Sequence, residues 1–248
     1  METKTNKKQS KTLQEVLKPY HSKNLLEAGL DEAGCGGLVS RVYACAVIWQ
    51  TDLDPEIAEK LKDVKDSKKL SEKKRYLLRD LIEENVIDFG IGYTEASEID
   101  KINILQARVL AMHRALNNLK IIPDHLLIDG NYFKDYTCPK TNQKINHTLI
   151  EKGDNKFLSI ASASILAKCY HDDYILKLHK QYPMYGLNKN HGYGTIDHYK
   201  ALKLYGPTPV HRMSFNLKLN DKKLKNDNNN ENNNDDNNDE NTDENNND

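Results

Sequence analysis

The chain has 248 residues, with 36 Lys and Arg against 37 Asp and Glu and a formal net charge of −1. That near-neutral total hides two unlike parts. Residues 227–248 contain only Asn, one Thr and nine acids, which leaves the first 226 residues with 36 basic and 28 acidic side chains, a net of +8. No apolar run is long enough for a helical membrane span or a signal peptide, and the absence of Cys-x-x-Cys spacing among Cys35, Cys45, Cys138 and Cys169 argues against zinc.

A body of this sign suits a polyanionic partner, although a plain Lys-rich surface has the same composition. Free thiols fit a reducing compartment, so the expected location is intracellular and cytoplasmic. In chain order, residues 1–23 read as a polar N-terminal arm. Leu25 to Leu30 forms the first strand and enters Asp31-Glu32-Ala33-Gly34. The run Val42 to Trp49, rich in β-branched and aromatic residues, reads as a buried strand. A glycine-rich connection through Gly34, Gly36 and Gly37 makes the two a hairpin. Ser71 caps a helix that runs to about Glu84, and Val86 to Tyr93 alternates as a third strand.

The side chains of Ile104, Leu105, Val109, Met112 and Leu116 line one side of a helix over 102–119. Leu126 to Ile128 is a short strand ending in Asp129-Gly130-Asn131, and His147 to Ile150 another, leading to Glu151-Lys152-Gly153-Asp154. A long helix spans 157–182, opening with Ser159, Ala161, Ser162, Ala163 and Ser164, small residues that allow close packing. A last helix occupies 195–204. One globular domain over 24–217 is the economical reading, with 218–248 a disordered tail too polar to offset the cost of ordering its backbone.

Three acids share a local grammar. Asp31, Asp129 and Asp154 each follow an apolar strand. Strand ends hold a carboxylate on rigid backbone, and several side by side make a negative cluster that hard, oxygen-preferring cations neutralise. Two such ions can support phosphodiester cleavage. Strand-end Asp residues also cap turns, and Asp-Gly is a common turn pair, so pattern alone leaves both roles open.

The wording around the acids is more specific. Gly29-Leu30-Asp31-Glu32-Ala33-Gly34, Asp66-Ser67-Lys68-Lys69-Leu70-Ser71, Asn103-Ile104-Leu105, Ile128-Asp129-Gly130-Asn131, and Lys152-Gly153-Asp154 with Ser162 to Lys168 follow in order. Gly192-Tyr193-Gly194-Thr195 with His198, and His211-Arg212 with Ser214-Phe215, complete the series. Together they resemble the ribonuclease HII family over residues 24–217. The resemblance implies an α/β, ribonuclease H-like mixed central sheet flanked by helices, with a helical C-terminal portion. It implies an endoribonuclease acting 5′ of ribonucleotides in RNA/DNA hybrids or duplex DNA, as a monomer. It also implies two divalent ions, Mg²⁺ or Mn²⁺, held by Asp31, Glu32, Asp129 and Asp154; Asp172 is secondary or structural. On an extended strand the side chains of Asp31 and Glu32 face opposite ways.

By the same resemblance, the 2′-hydroxyl is read by Gly34-Cys35-Gly36, where the family's turn is Gly-Arg-Gly, and by Tyr193. Ser67, Lys68, Lys69, Lys168 and Arg212 are the expected contacts to the nucleic-acid backbone. His191 stands where the family usually has Lys, which makes a fixed charge conditional on pH. The alternative is a non-catalytic hybrid-binding protein on the same fold, which the departures at Cys35 and His191 keep open.

Overall fold

The computed structural model describes residues 17–64, 67 and 70–219. Lys68 and Lys69, with Asp66 and the acidic tail, lie outside them. Six strands, β1 (Glu27–Ala33), β2 (Val42–Ile48), β3 (Asp88–Thr94), β4 (His125–Asp129), β5 (Tyr136–Cys138) and β6 (Gln143–Ile150), form one sheet in the order β3-β2-β1-β4-β6-β5. The β1–β4 and β4–β6 pairs are parallel and the other three antiparallel. This is the mixed sheet flanked by helices that the sequence implies. The helices are α1 (Pro55–Lys60), α2 (Glu72–Asn85), α3 (Ala96–Asn117), α4 (Leu158–Gln181), α5 (Leu187–Asn190) and α6 (Ile196–Tyr205).

Strand β2 is buried at every position because both its faces are covered. Val42, Ala44, Ala46 and Ile48 pack with Ala107, Ala111, Met112 and Ala115 of α3. Cys45 and Val47 pack on the other face with Ala161, Ile165 and Leu166 of α4 and with Leu78 and Ile82 of α2. The small residues that open α4 serve that packing. Glycine sets the layer spacing too: a Cβ on Gly29 would stand 2.4 Å from the Ser159 backbone, and one on Gly92 2.2 Å from the Ala111 carbonyl oxygen.

Helix α3 starts at Ala96, six residues before the expected Ile102, and its backbone breaks at Asn103, where φ is +64°. The Asn103 side chain accepts from Gln106 N at 3.1 Å, capping the second segment as a new helix start. The hairpin of β5 and β6 and helix α1 were not anticipated. At the C-terminal end, Leu38 and Val39 join Ile175, Leu178, Tyr185, Leu187, Ala201 and Leu202 in a separate apolar cluster, the expected helical portion. Residues 17–23, assigned above to the arm, are tied down. Lys18 N donates to Lys156 O, Lys18 O accepts from Leu158 N, and His21 N and Ser22 N donate to the Glu27 carboxylate. No described helix is long and apolar enough to cross a membrane.

Candidate active site

Parallel pairing of β1 with β4 sets the site. The register Leu30↔Ile128 brings Asp31, inside β1, beside Asp129, the last residue of β4. Asp31 is buried, and its carboxyl titrates well above the usual carboxylate range; burial is the main cause, followed by the charges of Glu32 and Asp129. Ser164 of α4 opposes that shift by hydrogen bonding, as does the Glu32 N–H, which donates to Asp31 Oδ1 at 2.7 Å. Glu32 reaches the opposite side of the sheet, as alternation requires: its carboxylate accepts from the Cys35 thiol at 3.8 Å and pairs with Arg108 of α3 at 3.4 Å. Arg108 also donates to the Asp129 carbonyl at 3.4 Å.

The fourth acid arrives through a turn. Asp129 Oδ1 accepts from Gly153 N at 2.7 Å, which fastens the Lys152–Asn155 turn to the end of β4. Asp154 is the next residue; its Oδ1 accepts from Asn155 Nδ2. Lys152 enters the turn in the left-handed region, φ +54°. Asp31 and Asp129 thus lie side by side, Glu32 turns to the other side of the sheet, and Asp154 stands in the turn fastened to the end of β4. Among the described residues, no three His, Cys, Asp or Glu are already arranged as a metal's ligand set. The chemistry of these residues still fits a hard cation: the donors are oxygens, and burial, followed by neighbouring negative charge, raises the Asp31 carboxyl.

The glycine turn lies beside this edge. A Cβ on Gly36 would be 3.2 Å from the Tyr193 ring, so the missing side chain lets the aromatic close on the turn. Tyr193 is 45% exposed. The Cys35 thiol is pushed up to about 12, chiefly by burial and then by Glu32, so it stays a neutral donor. Lys168 binds Asp172 at 2.6 Å. Asp172 is itself buried and also meets His171 at 3.1 Å, Arg75 at 3.4 Å and His191 at 3.7 Å. Burial pushes its carboxyl up, yet the bonds from His171 and Lys168 hold it below the usual value.

Two expected substrate contacts are directed inward. Ser67 is buried, its hydroxyl hydrogen-bonded with Ser164 Oγ at 3.0 Å and its carbonyl accepting from Arg75. Arg212 is fully buried; its five N–H donors go to the carbonyls of Gly34, Cys35, Gly37, Ser40 and Arg41, at 2.7–3.2 Å. Arg212 therefore shapes the glycine turn and does not meet a phosphate. Its sequence carries no sign of this, since one basic residue looks the same inside and out. Arg108, on a helix face without motif wording, was missed for the same reason.

A family model described as ribonuclease HII matches residues 28–218. The chain belongs to the ribonuclease HII family. Ribonuclease HII of Phocaeicola vulgatus is 50% identical over 210 residues, covering 85% of this chain and 98% of that protein. Among solved structures, ribonuclease H2 from Pyrococcus horikoshii OT3 superposes with a TM-score of 0.60 at 26% identity, over 77% of this chain and 94% of that one. Bst-RNase HIII in complex with Mn²⁺ matches with a TM-score of 0.61 at 19% identity, over 78% of this chain and 68% of that one, a likeness of fold alone. As a ribonuclease HII the chain is a hydrolase, an endonuclease of the ribonuclease H type, and the non-catalytic alternative is not favoured.

Proposed function

We propose that the chain hydrolyses the phosphodiester 5′ of ribonucleotides, in RNA/DNA hybrids and in duplex DNA with embedded ribonucleotides, leaving 3′-hydroxyl and 5′-phosphate ends. Asp31, Glu32, Asp129 and Asp154 would hold two divalent ions, Mg²⁺ or Mn²⁺, which supply Lewis acidity at the scissile phosphate when bound. The observation that carries this reading is the parallel pairing of β1 with β4, which sets the buried Asp31 beside Asp129.

The protein's own groups divide the rest of the work. Gly34, Cys35 and Gly36 offer backbone groups at close approach to a 2′-hydroxyl, and the exposed Tyr193 ring stacks on the sugar or base beside it. Lys168, held by Asp172, and the Lys68-Lys69 pair supply positive charge toward phosphates. The expected catalytic body is a monomer spanning residues 24–217.

Asp129→Asn is the decisive variant. The amide oxygen can still accept from Gly153 N, so the fold is kept while a ligand charge is lost. Cleavage of a duplex with one embedded ribonucleotide should fall by roughly 10³-fold or more while duplex binding survives. Undiminished turnover, or cleavage by the parent enzyme in chelator or on plain DNA, would remove the proposal.

A further inference from the structure

Two buried histidines have no place in the reaction as described. His198, at the first turn of α6, and His211, after the last helix, are 0% and 2% exposed, and their Nε2 atoms lie 3.3 Å apart. Their partners fix the protons. His198 Nδ1 is 2.9 Å from the Tyr193 carbonyl, which only accepts, so Nδ1 carries the hydrogen and Nε2 is bare. His211 Nδ1 receives the Thr208 N–H at 3.0 Å, with the Thr208 hydroxyl at 2.8 Å, so its hydrogen sits on Nε2. The result is a one-way chain: Thr208 N–H to His211, His211 Nε2–H to His198, His198 Nδ1–H to the Tyr193 carbonyl. Every ring nitrogen is satisfied only if both rings are neutral, and burial lowers both histidines, His211 to about 4.

The residue after His211 is Arg212, which gathers five carbonyls of the glycine turn. One of them belongs to Ser40, a non-glycine held at φ +89°. Leu38 N donates to Gly192 O at 2.8 Å, and Arg212 N to Leu38 O at 2.9 Å, stitching the two loops together. Thus the dipeptide His211-Arg212 holds both sides of the gap in which Gly36 faces the Tyr193 ring.

We propose that the His198–His211 pair, acting with Arg212, is a positioning device that sets Tyr193 against the Gly34–Gly36 turn and thereby determines how sharply ribose is distinguished from deoxyribose. The inference rests on the functional reading above. None of the three residues touches substrate; each acts through the backbone of a group that would.

The test uses the full chain. In ¹⁵N-resolved NMR spectra at pH 7.5, His198 should be protonated at Nδ1 and His211 at Nε2; the opposite tautomers, or an imidazolium on either ring, overturn the proposal. Affinities for a duplex with one ribonucleotide and for its all-deoxy counterpart are then compared in the Asp129→Asn background, so that nothing is cut. His198→Phe keeps an aromatic ring but lacks the donor. Its preference for the ribonucleotide should fall about tenfold, one hydrogen bond's worth, with all-deoxy affinity unchanged. His198→Asn, whose amide nitrogen stands near the place of Nδ1, should recover the preference to within about threefold. A folded His198→Phe protein that keeps the full preference sinks the idea. If Asp129→Asn fails to abolish cleavage, the functional reading is at fault, and the tautomer spectrum still judges the pair.

Discussion

At the scale of single residues, the site is a place where stability is given up. Asp31 is buried beside two other acids, and its ionised form is disfavoured by both burial and like charge. A folded-state carboxyl raised above its unfolded value adds stability below the unfolded value, and that stability is lost as pH rises through the folded one. At neutral pH without divalent ions, Asp31 therefore weakens the fold. Asp31→Asn should raise the metal-free melting temperature by about 2–4 °C, on the order of 1 kcal/mol, while abolishing cleavage. Differential scanning calorimetry in chelator checks the first part, and an unchanged or lower melting temperature would mean that the acids do not strain the fold. The apolar runs before Asp31 and Asp129 were legible as strands, and β4 does end at Asp129, whereas β1 continues two residues past Asp31. Arg108 and the inward turn of Arg212 and Ser67 were not legible, because which side of a helix or loop is covered depends on contacts from distant chain: Arg212 meets carbonyls more than 170 positions away.

Among elements, the strands and long helices that carry the site follow from periodicity, and the misses have local causes. Helix α1 had a readable start, since Asp54 accepts from Glu56 N and Ile57 N ahead of Pro55 at the first turn. Strand β5 spans three residues at a sheet edge, too short for alternation to register. The early start of α3 rests on the reciprocal bonds of Glu95 and Glu98 within a polar stretch, and only the break at Asn103 divides it from the apolar segment seen in the sequence. The glycines of β3 are a packing signal that residue pattern does not state. Gly92→Ala would drive a methyl group to 2.2 Å from the Ala111 carbonyl of α3, backbone that cannot step aside alone. A loss of roughly 1–3 kcal/mol in urea unfolding is expected, with the acids of the candidate site untouched. A variant as stable as the parent would show that α3 is free to shift outward.

For the molecule as a whole, acid sensitivity should be set by histidines more than by surface ion pairs. Five of the nine, His113, His125, His171, His198 and His211, are lowered in the fold, in each case chiefly by burial. A base whose folded value is depressed contributes stability that is complete above the unfolded value near 6.5 and is lost as pH falls toward the folded one, about 4 for His211. Through that window the unfolded chain takes up protons that the native protein refuses. Asp31 works in the opposite direction, but it is one group against five. Carboxylates held low, such as Glu98 at about 2 beside Arg114, add their loss only at lower pH. Unfolding free energy measured by urea titration should therefore decline steadily from pH 7 to pH 4.5, by on the order of a few kcal/mol, with a slope corresponding to more than one proton. The His198–His211 chain stays neutral in the fold until pH nears about 4, so ribonucleotide preference should hold through this range while global stability declines. A stability profile flat down to pH 5 would mean that these rings accept protons without disturbing the packing that surrounds them.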